Sequence, residues 1–266
     1  MNFDSQKWKE QAKKQWNTTP CANPVKDDEN YFLAVENNRY KEYAPWMPSF
    51  FQYSQFKDKK ILEIGYGVGT DLCQFAKAGA ECFGVDITEK HHELANENFR
   101  SRGLNAQLFL EDANKLHFDD EMFDVVYSFG VLHHTPDTIR CISEAYRVLK
   151  PGGLLMIALY NKYSAFHLFS VLLYGGIRRG GLKKLGYKGL LSTIEKGADG
   201  INIKPLVKLY SRRQLKTILG DYKEVSIHVK HLDKSHFGRI GNYIPQFMIN
   251  LLEPFMGWYV IAKARK

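Results

Sequence analysis

The stretch Glu63-Ile64-Gly65-Tyr66-Gly67-Val68-Gly69 ends a short apolar run, Ile61-Leu62-Glu63-Ile64, and leads into a mixed segment that starts at Thr70. Its order reads as buried strand, glycine turn and helix. Glycine permits a tight turn and lets a ligand approach the backbone closely. The helix after the turn would direct its free N–H groups and the positive end of its dipole at whatever is bound there. Thr70 is the expected N-cap of that helix, and Gly79 suits the position just past its end. A dinucleotide-binding loop has the spacing G-x-G-x-x-G. After Gly65 and Gly67 its third glycine would stand at position 70, which is Thr70.

Working outward, the same rhythm repeats. A second strand, Glu81 to Val85, stops at Asp86, and Thr88 caps a helix that runs to about Arg100 and closes at Gly103. A third strand covers Ala106 to Leu110 and a fourth Phe123 to Phe129. Thr135-Pro136 reads as an N-cap followed by proline at the first helical position. Ile139, Ile142, Tyr146 and Leu149 recur at helical spacing before Pro151-Gly152-Gly153, and a fifth strand spans Leu154 to Leu159. Alternating strands and helices specify an α/β fold, a mostly parallel sheet with helices on both faces. Ser211 caps a further short helix, and Val225 to Val229 and Trp258 to Ala262 read as two late strands.

The 266 residues suffice for one core with a small accessory cap. Residues 1–56 hold Trp8, Trp16 and Trp46 without a strand pattern and are expected to form an N-terminal helical cap or lid. Residues 57–266 form the core, interrupted by a lid-like insertion at about 161–210. The formal charge is +8, but the basic residues are scattered, so no nucleic-acid partner is expected. Cys21, Cys73, Cys82 and Cys141 lie far apart with no C-x-x-C pair, which argues against a metal site or a disulfide framework. The N-terminus lacks an apolar signal core. Ala165 to Tyr174 is too short to span a bilayer, and Tyr243 to Ala262 is broken by Pro245, Glu253 and Pro254. These features are those of a cytoplasmic protein with reduced thiols.

Two further acidic sites follow strands. Asp86 ends the second, where a carboxylate can accept from both hydroxyls of a ribose, and Glu111-Asp112-Ala113 follows the third. With the glycine turn they converge on one crevice at the carboxyl ends of the strands, where open α/β sheets bind ligands.

With these residues in place, the run Ile61 to Leu155 resembles the class I S-adenosylmethionine (SAM)-dependent methyltransferases, in particular the branch similar to ubiquinone/menaquinone-biosynthesis methyltransferases. The matching stretches are ILEIGYGVGTDL, GVDIT, EDANKLHFDDEMFDVVYSFGVLHHTPD and EAYRVLKPGGLL. The G-x-G-x-G spacing with a preceding acid also fits SAM better than a dinucleotide. The resemblance implies a Rossmann-like seven-stranded sheet whose last strand is antiparallel, the last two strands pairing as a hairpin-like edge. It implies that Glu63, Gly65, Gly67 and Gly69 line the methionine part of SAM and that Asp86 holds the ribose. Ile87 would lie against the adenine, Asp112 and Ala113 would meet its edge, and Ser128 would lie beside the cofactor. Tyr66 stands where the family often has a small residue or cysteine, without breaking the glycine spacing.

Methyl transfer from a sulfonium is an in-line displacement, so the protein chiefly aligns the reactants and excludes water. Oxygen acceptors often need a base. The candidates are His133 and His134, just after the fourth strand. His134 is favoured because it adjoins the expected N-cap at Thr135. Trp16, Tyr31, Phe32, Tyr40, Tyr43 and Trp46 before the core suit a ring-bearing or partly apolar acceptor, as do Tyr160, Tyr163, Phe166, Phe169 and Tyr174 after it. The expected reaction is methylation of oxygen or nitrogen on a small or medium-sized organic molecule, such as a specialised metabolite or a sugar. The alternatives are carbon methylation of a prenylated or lipid-like acceptor at a membrane surface, and a non-catalytic SAM-binding subunit. The apolar stretch before Arg178, Arg179, Lys183, Lys184 and Lys188 invites peripheral membrane contact, although a helical lid is the preferred reading.

Overall fold

Seven strands form one sheet in the order β3-β2-β1-β4-β5-β7-β6. The structure, a computed structural model, describes residues 3–20, 30–195 and 206–266. The strands are β1 (Lys60–Ile64), β2 (Glu81–Asp86), β3 (Gln107–Leu110), β4 (Phe123–Phe129), β5 (Leu149–Tyr160), β6 (Lys223–Lys230) and β7 (Tyr259–Arg265). Helices α1 (Phe3–Thr18), α2 (Tyr31–Asn37) and α3 (Met47–Phe51) precede the sheet. Helices α4 (Thr70–Lys77), α5 (Glu89–Ser101) and α6 (Thr138–Val148) alternate with its first strands, and α7 (Gly181–Leu191), α8 (Arg212–Ile218) and α9 (Gln246–Met256) follow β5.

Strands β1 to β5 pair in parallel, with Leu62 opposite Phe83 on one side and Val126 on the other. Ile61 to Ile64 are all buried, the three apolar residues in a strand covered on both faces and Glu63 at the edge of the crevice. One face packs Ile61, Tyr127 and Met156 against Phe51, Leu72, Phe75 and Phe99. The other packs Leu62, Val126 and Leu155 against Cys141, Ala145 and Leu215. Chain order reverses at β1, which lies between β2 and β4. The switch opens a crevice at the carboxyl ends of these strands.

The last two strands pair antiparallel at the edge of the sheet, as the resemblance implies. β7 enters the sheet antiparallel between β5 and β6 and leaves β6 at the edge. Between them run a 3-10 segment, Lys234–Tyr243, and α9. Two caps differ from the sequence reading. Gly69, not Thr70, is the N-cap of α4; its φ of 77° finishes the glycine turn, and a Cβ there would sit 3.1 Å from the Phe99 ring. Asp137, not Thr135, caps α6 by accepting from the Arg140 N–H at 2.9 Å. A 3-10 turn over Leu132–His134 comes first, and the Thr135 hydroxyl donates back to the Leu132 carbonyl at 2.8 Å. Thr88 does stand at the N-cap of α5, and Ser211 forms a capping box with Gln214 on α8.

The insertion begins with a π-helix, Phe166–Arg178, followed by α7, which kinks at Gly186. Cys73, Cys82 and Cys141 are free and buried, whereas Cys21 lies outside the described residues. Among the described residues no helix is long and apolar enough to cross a membrane, and no His/Cys/Asp/Glu group has a metal-holding arrangement.

Candidate active site

A cavity of about 640 Å³ opens at the switch point. Glu63, Gly65 and Gly67 of the glycine turn line it, with Asp86 and Ile87 after β2 and Asp112 and Ala113 after β3. Gly65 and Gly67 have φ of 76° and 54°, a region open to glycine at little cost. A Cβ on Gly65 would come within 2.4 Å of the Val131 side chain. The turn is therefore pressed against the loop after β4, with bare backbone toward the cavity.

Asp86 is held from three sides. Its carboxylate accepts from the N–H of Gly67 at 3.0 Å and the N–H of Thr88 at 2.9 Å, and it meets His91 Nδ1 at 3.2 Å. A carboxylate has about four lone-pair sites, so a ligand hydroxyl can still donate to it. Asp112 pairs with Lys9 of α1 and accepts from the Asn114 N–H at 2.9 Å. Burial would raise the Asp112 pKa, but Lys9 and Asn114 outweigh it and hold the carboxyl below its usual range. Thus α1 lies across this end of the cavity, and Ala12 and Trp16 also line it.

Two residues expected at the cofactor do not line the cavity. Gly69 is turned into the α4 cap against Phe99. Ser128 is buried, its hydroxyl donating to the Ile64 carbonyl at 2.8 Å, so it ties β4 to β1 instead.

The two histidines part in the same way. His133 is fully buried outside the cavity, its ring 3.7 Å from that of Tyr160, and neither nitrogen has a hydrogen-bond partner among the described residues. Burial, with His134 beside it, holds its pKa well below the ordinary imidazole range. His134 lines the cavity. Its Nδ1 is 2.8 Å from the Leu206 carbonyl, which can only accept, so Nδ1 donates. In the neutral ring the lone pair then resides on Nε2, 3.8 Å from Glu195 Oε1. The Leu206 carbonyl fixes this ring, rather than the helix end expected at Thr135.

Three charged residues of the remaining wall, Arg39, Asp71 and Glu195, were not singled out in the sequence. Asp71, in the first turn of α4, gathers Arg39 through Nε at 3.1 Å and Nη2 at 2.5 Å, the Tyr40 hydroxyl at 2.6 Å and the Tyr127 hydroxyl at 2.8 Å. Burial would lower the Arg39 pKa, but Asp71 overrides it, so the guanidinium keeps its charge 4.4 Å from the centroid of the Phe129 ring. Tyr160 donates to Glu195 at 2.5 Å, and the hydroxyls of Tyr43 and Tyr259 meet at 2.6 Å. One signal could have marked Glu195: it is the first acidic residue after Glu144. Of the expected aromatics, Trp16, Tyr43 and Tyr160 line the cavity. Trp46 packs on Phe129 in the core, Phe166 packs on Trp258, and Tyr163 and Tyr174 are exposed.

Comparison with known proteins agrees with this geometry. The methyltransferase-domain family matches residues 62–157. A sterol 4-C-methyltransferase from Caenorhabditis elegans is 35% identical over 98 residues, 36% of this chain and 29% of that protein. A ubiquinone biosynthesis O-methyltransferase from Coxiella burnetii is 30% identical over 121 residues, 46% of this chain and 52% of that protein. The chain thus spans about half or less of the length of these curated relatives. A SAM-dependent methyltransferase structure from Methanosarcina mazei superposes with a TM-score of 0.57 at 24% identity, covering 82% of this chain and 97% of that one, a likeness of fold. The relatives' names give different acceptors and different atoms. They agree on the domain that surrounds the glycine turn: residues 62–157 match a methyltransferase domain, and that match together with the fold implies SAM as the cofactor.

Proposed function

We propose that the protein transfers the methyl group of SAM to an oxygen or nitrogen of a small or medium-sized organic molecule with an aromatic or partly apolar body. His134 would act as the acceptor-side base. The observation that carries this reading is the His134 ring, which lines the cavity with Nδ1 committed to a carbonyl, leaving the neutral ring's lone pair on Nε2. Asp86 would hold the ribose, and Asp112 and Ala113 the adenine edge. Glu63 and the Gly65–Gly67 backbone would surround the methionine portion. Bound SAM supplies a methyl carbon on a sulfonium, which a lone pair displaces in line as the C–S electron pair stays on sulfur. The protein's part is alignment and proton transfer: the acceptor's proton passes to His134 Nε2, and Glu195 lies close enough to stabilise the resulting imidazolium. Tyr43, Phe129, Tyr160 and Tyr259 supply the aromatic wall.

A labelled-methyl screen against metabolite extracts, with mass spectrometry of the product, tests the reading. Transfer to an acceptor hydroxyl or amine is expected. His134→Ala should lower kcat by roughly 10²-fold with SAM binding nearly intact, and His133→Ala should do less to kcat. Two variants within a few-fold of the parent across the pH range would remove the base from the mechanism. SAM binding without transfer to any acceptor would favour a binding subunit.

A further inference from the structure

Two segments, one after β5 and one before β7, form one lobe. The Phe169 and Phe237 rings stand 5.4 Å apart, the Ser170 hydroxyl donates to the His236 carbonyl at 3.1 Å, and the Phe166 and His236 rings lie 5.5 Å apart. Ala165, Leu232 and Ile249 make its small core, with Phe237, Ile244, Leu252 and Met256 packed around them.

The outside of this lobe is as apolar as its inside. Ile177, Ile240, Tyr243, Phe247, Leu251 and Phe255 are each 66% or more exposed. In α9, Ile249, Leu252 and Met256 pack inward while Phe247, Leu251 and Phe255 recur every fourth residue on the open side. Apart from Gln246, Asn250 and Glu253 the helix is apolar, and it is covered on one side only. Phe169, Leu173 and Ile177 repeat the same exposed spacing on the π-helix.

Charge distinguishes the partner. Residues 163–191 and 234–256 together contain seven lysines and arginines and one carboxylate, Glu253, in a chain whose whole formal charge is +8. The cations are Arg178, Arg179, Lys183, Lys184, Lys188, Lys234 and Arg239. Exposed apolar and aromatic side chains among seven cations, with the one carboxylate, Glu253, paired to Lys230, match an interface of acyl chains beneath anionic headgroups. A protein partner matched to this face would have to be both acidic and apolar. A second copy would set the same cations against each other. At 11 residues α9 is too short to span a bilayer but long enough to lie in its surface.

We propose that the lobe formed by residues 163–191 and 234–256 docks the protein on an anionic lipid surface, α9 and the π-helix burying their open apolar faces between headgroups. The proposal stands apart from the choice of methyl acceptor, because it rests on residues that do not line the cavity.

The test is sedimentation of the full chain with vesicles, in the absence of SAM and acceptor. Vesicles of phosphatidylcholine with a quarter phosphatidylglycerol should carry the protein down at roughly 0.1 M salt, where charges act over about 10 Å. Pure phosphatidylcholine should carry at least about tenfold less. The triple variant Phe247→Ser, Leu251→Ser, Phe255→Ser should lose at least about tenfold in vesicle binding while keeping its melting temperature and its stabilisation by SAM. Should that variant fold poorly, Lys183→Glu with Lys184→Glu tests the same surface and should weaken binding to anionic vesicles alone. Equal binding by parent and variants, or no binding to anionic vesicles, would overturn the proposal. So would a parent dimer that the triple variant converts to monomer without any vesicle binding, which would make the face an interface between copies.

Discussion

Residues 60–160 and the lobe of 163–191 with 234–256 are both rich in large apolar side chains, yet they use them in opposite ways. In the first region Ile61, Leu62, Ile64, Val126, Tyr127 and Leu155 face helices on both sides of the sheet and are sealed from water. In the second, Leu173, Ile177, Phe247, Leu251 and Phe255 face outward. Sealing a hydrophobe costs nothing further, whereas an open apolar face invites a partner. The difference separates what builds the cofactor crevice from what positions the molecule. The flanks between these extremes complete the cavity with Lys9, Trp16, Arg39 and Tyr43 from before the core and Glu195 from the end of the insertion.

The largest expected effect falls on the sealed region. Gly65→Val combines a φ of 76° with a Cβ overlapping Val131, so the turn must shift. Strain and overpacking of this kind cost roughly 2–4 kcal/mol, and SAM affinity measured by calorimetry should fall about 100-fold or more. A variant that binds SAM normally would show that the close approach of the turn to the β4 loop is incidental.

A second effect is expected at the edge of the lobe and is set by pH. Burial, with His236 nearby, pushes His231 down to about 4; burial pushes His236 down to about 4, with Asp233 opposing. Both imidazoles fold neutral and bind protons more readily in the unfolded chain. Their stabilisation is complete above about pH 6.5 and is lost as pH falls from there toward 4, at up to roughly 1.4 kcal/mol per unit for each group. Hydrogen exchange at pH 5 should therefore quicken in residues 231–243 more than in β1 and β4, and His236→Asn should reduce that difference. Uniform loss of protection across both regions would show that the lobe does not open separately.

The same contrast explains what the sequence disclosed. β1, β2 and β4 were legible because each is a mostly apolar run that stops at a turn or an acid, and the glycine turn and Asp86 came with them. The caps of α4 and α6 were displaced by one or two residues. Gly69 takes the left-handed turn before Thr70, and a 3-10 turn holds Thr135 out of the helix. Helix α9 was hidden because Pro245 and Pro254 mark its run as broken, although Pro245 stands at the N-cap and only Pro254 lies inside. His133 and His134 are indistinguishable in one dimension; only burial against Tyr160 and the Leu206 carbonyl separates them. Ser128 gave no sign that its hydroxyl would be spent on Ile64. Arg39 and Glu195 reach the cavity from distant segments, a convergence that no local pattern encodes.

The central claim is that the crevice around Asp86 is a SAM site, and thermal unfolding with added ligand tests it most directly. SAM and S-adenosylhomocysteine should each raise Tm, by about 2.7 kcal/mol of stabilisation at a hundredfold excess over Kd. Asp86→Ala should shrink that shift, and NADH should produce none. Stabilisation by NADH but not by SAM would contradict the account.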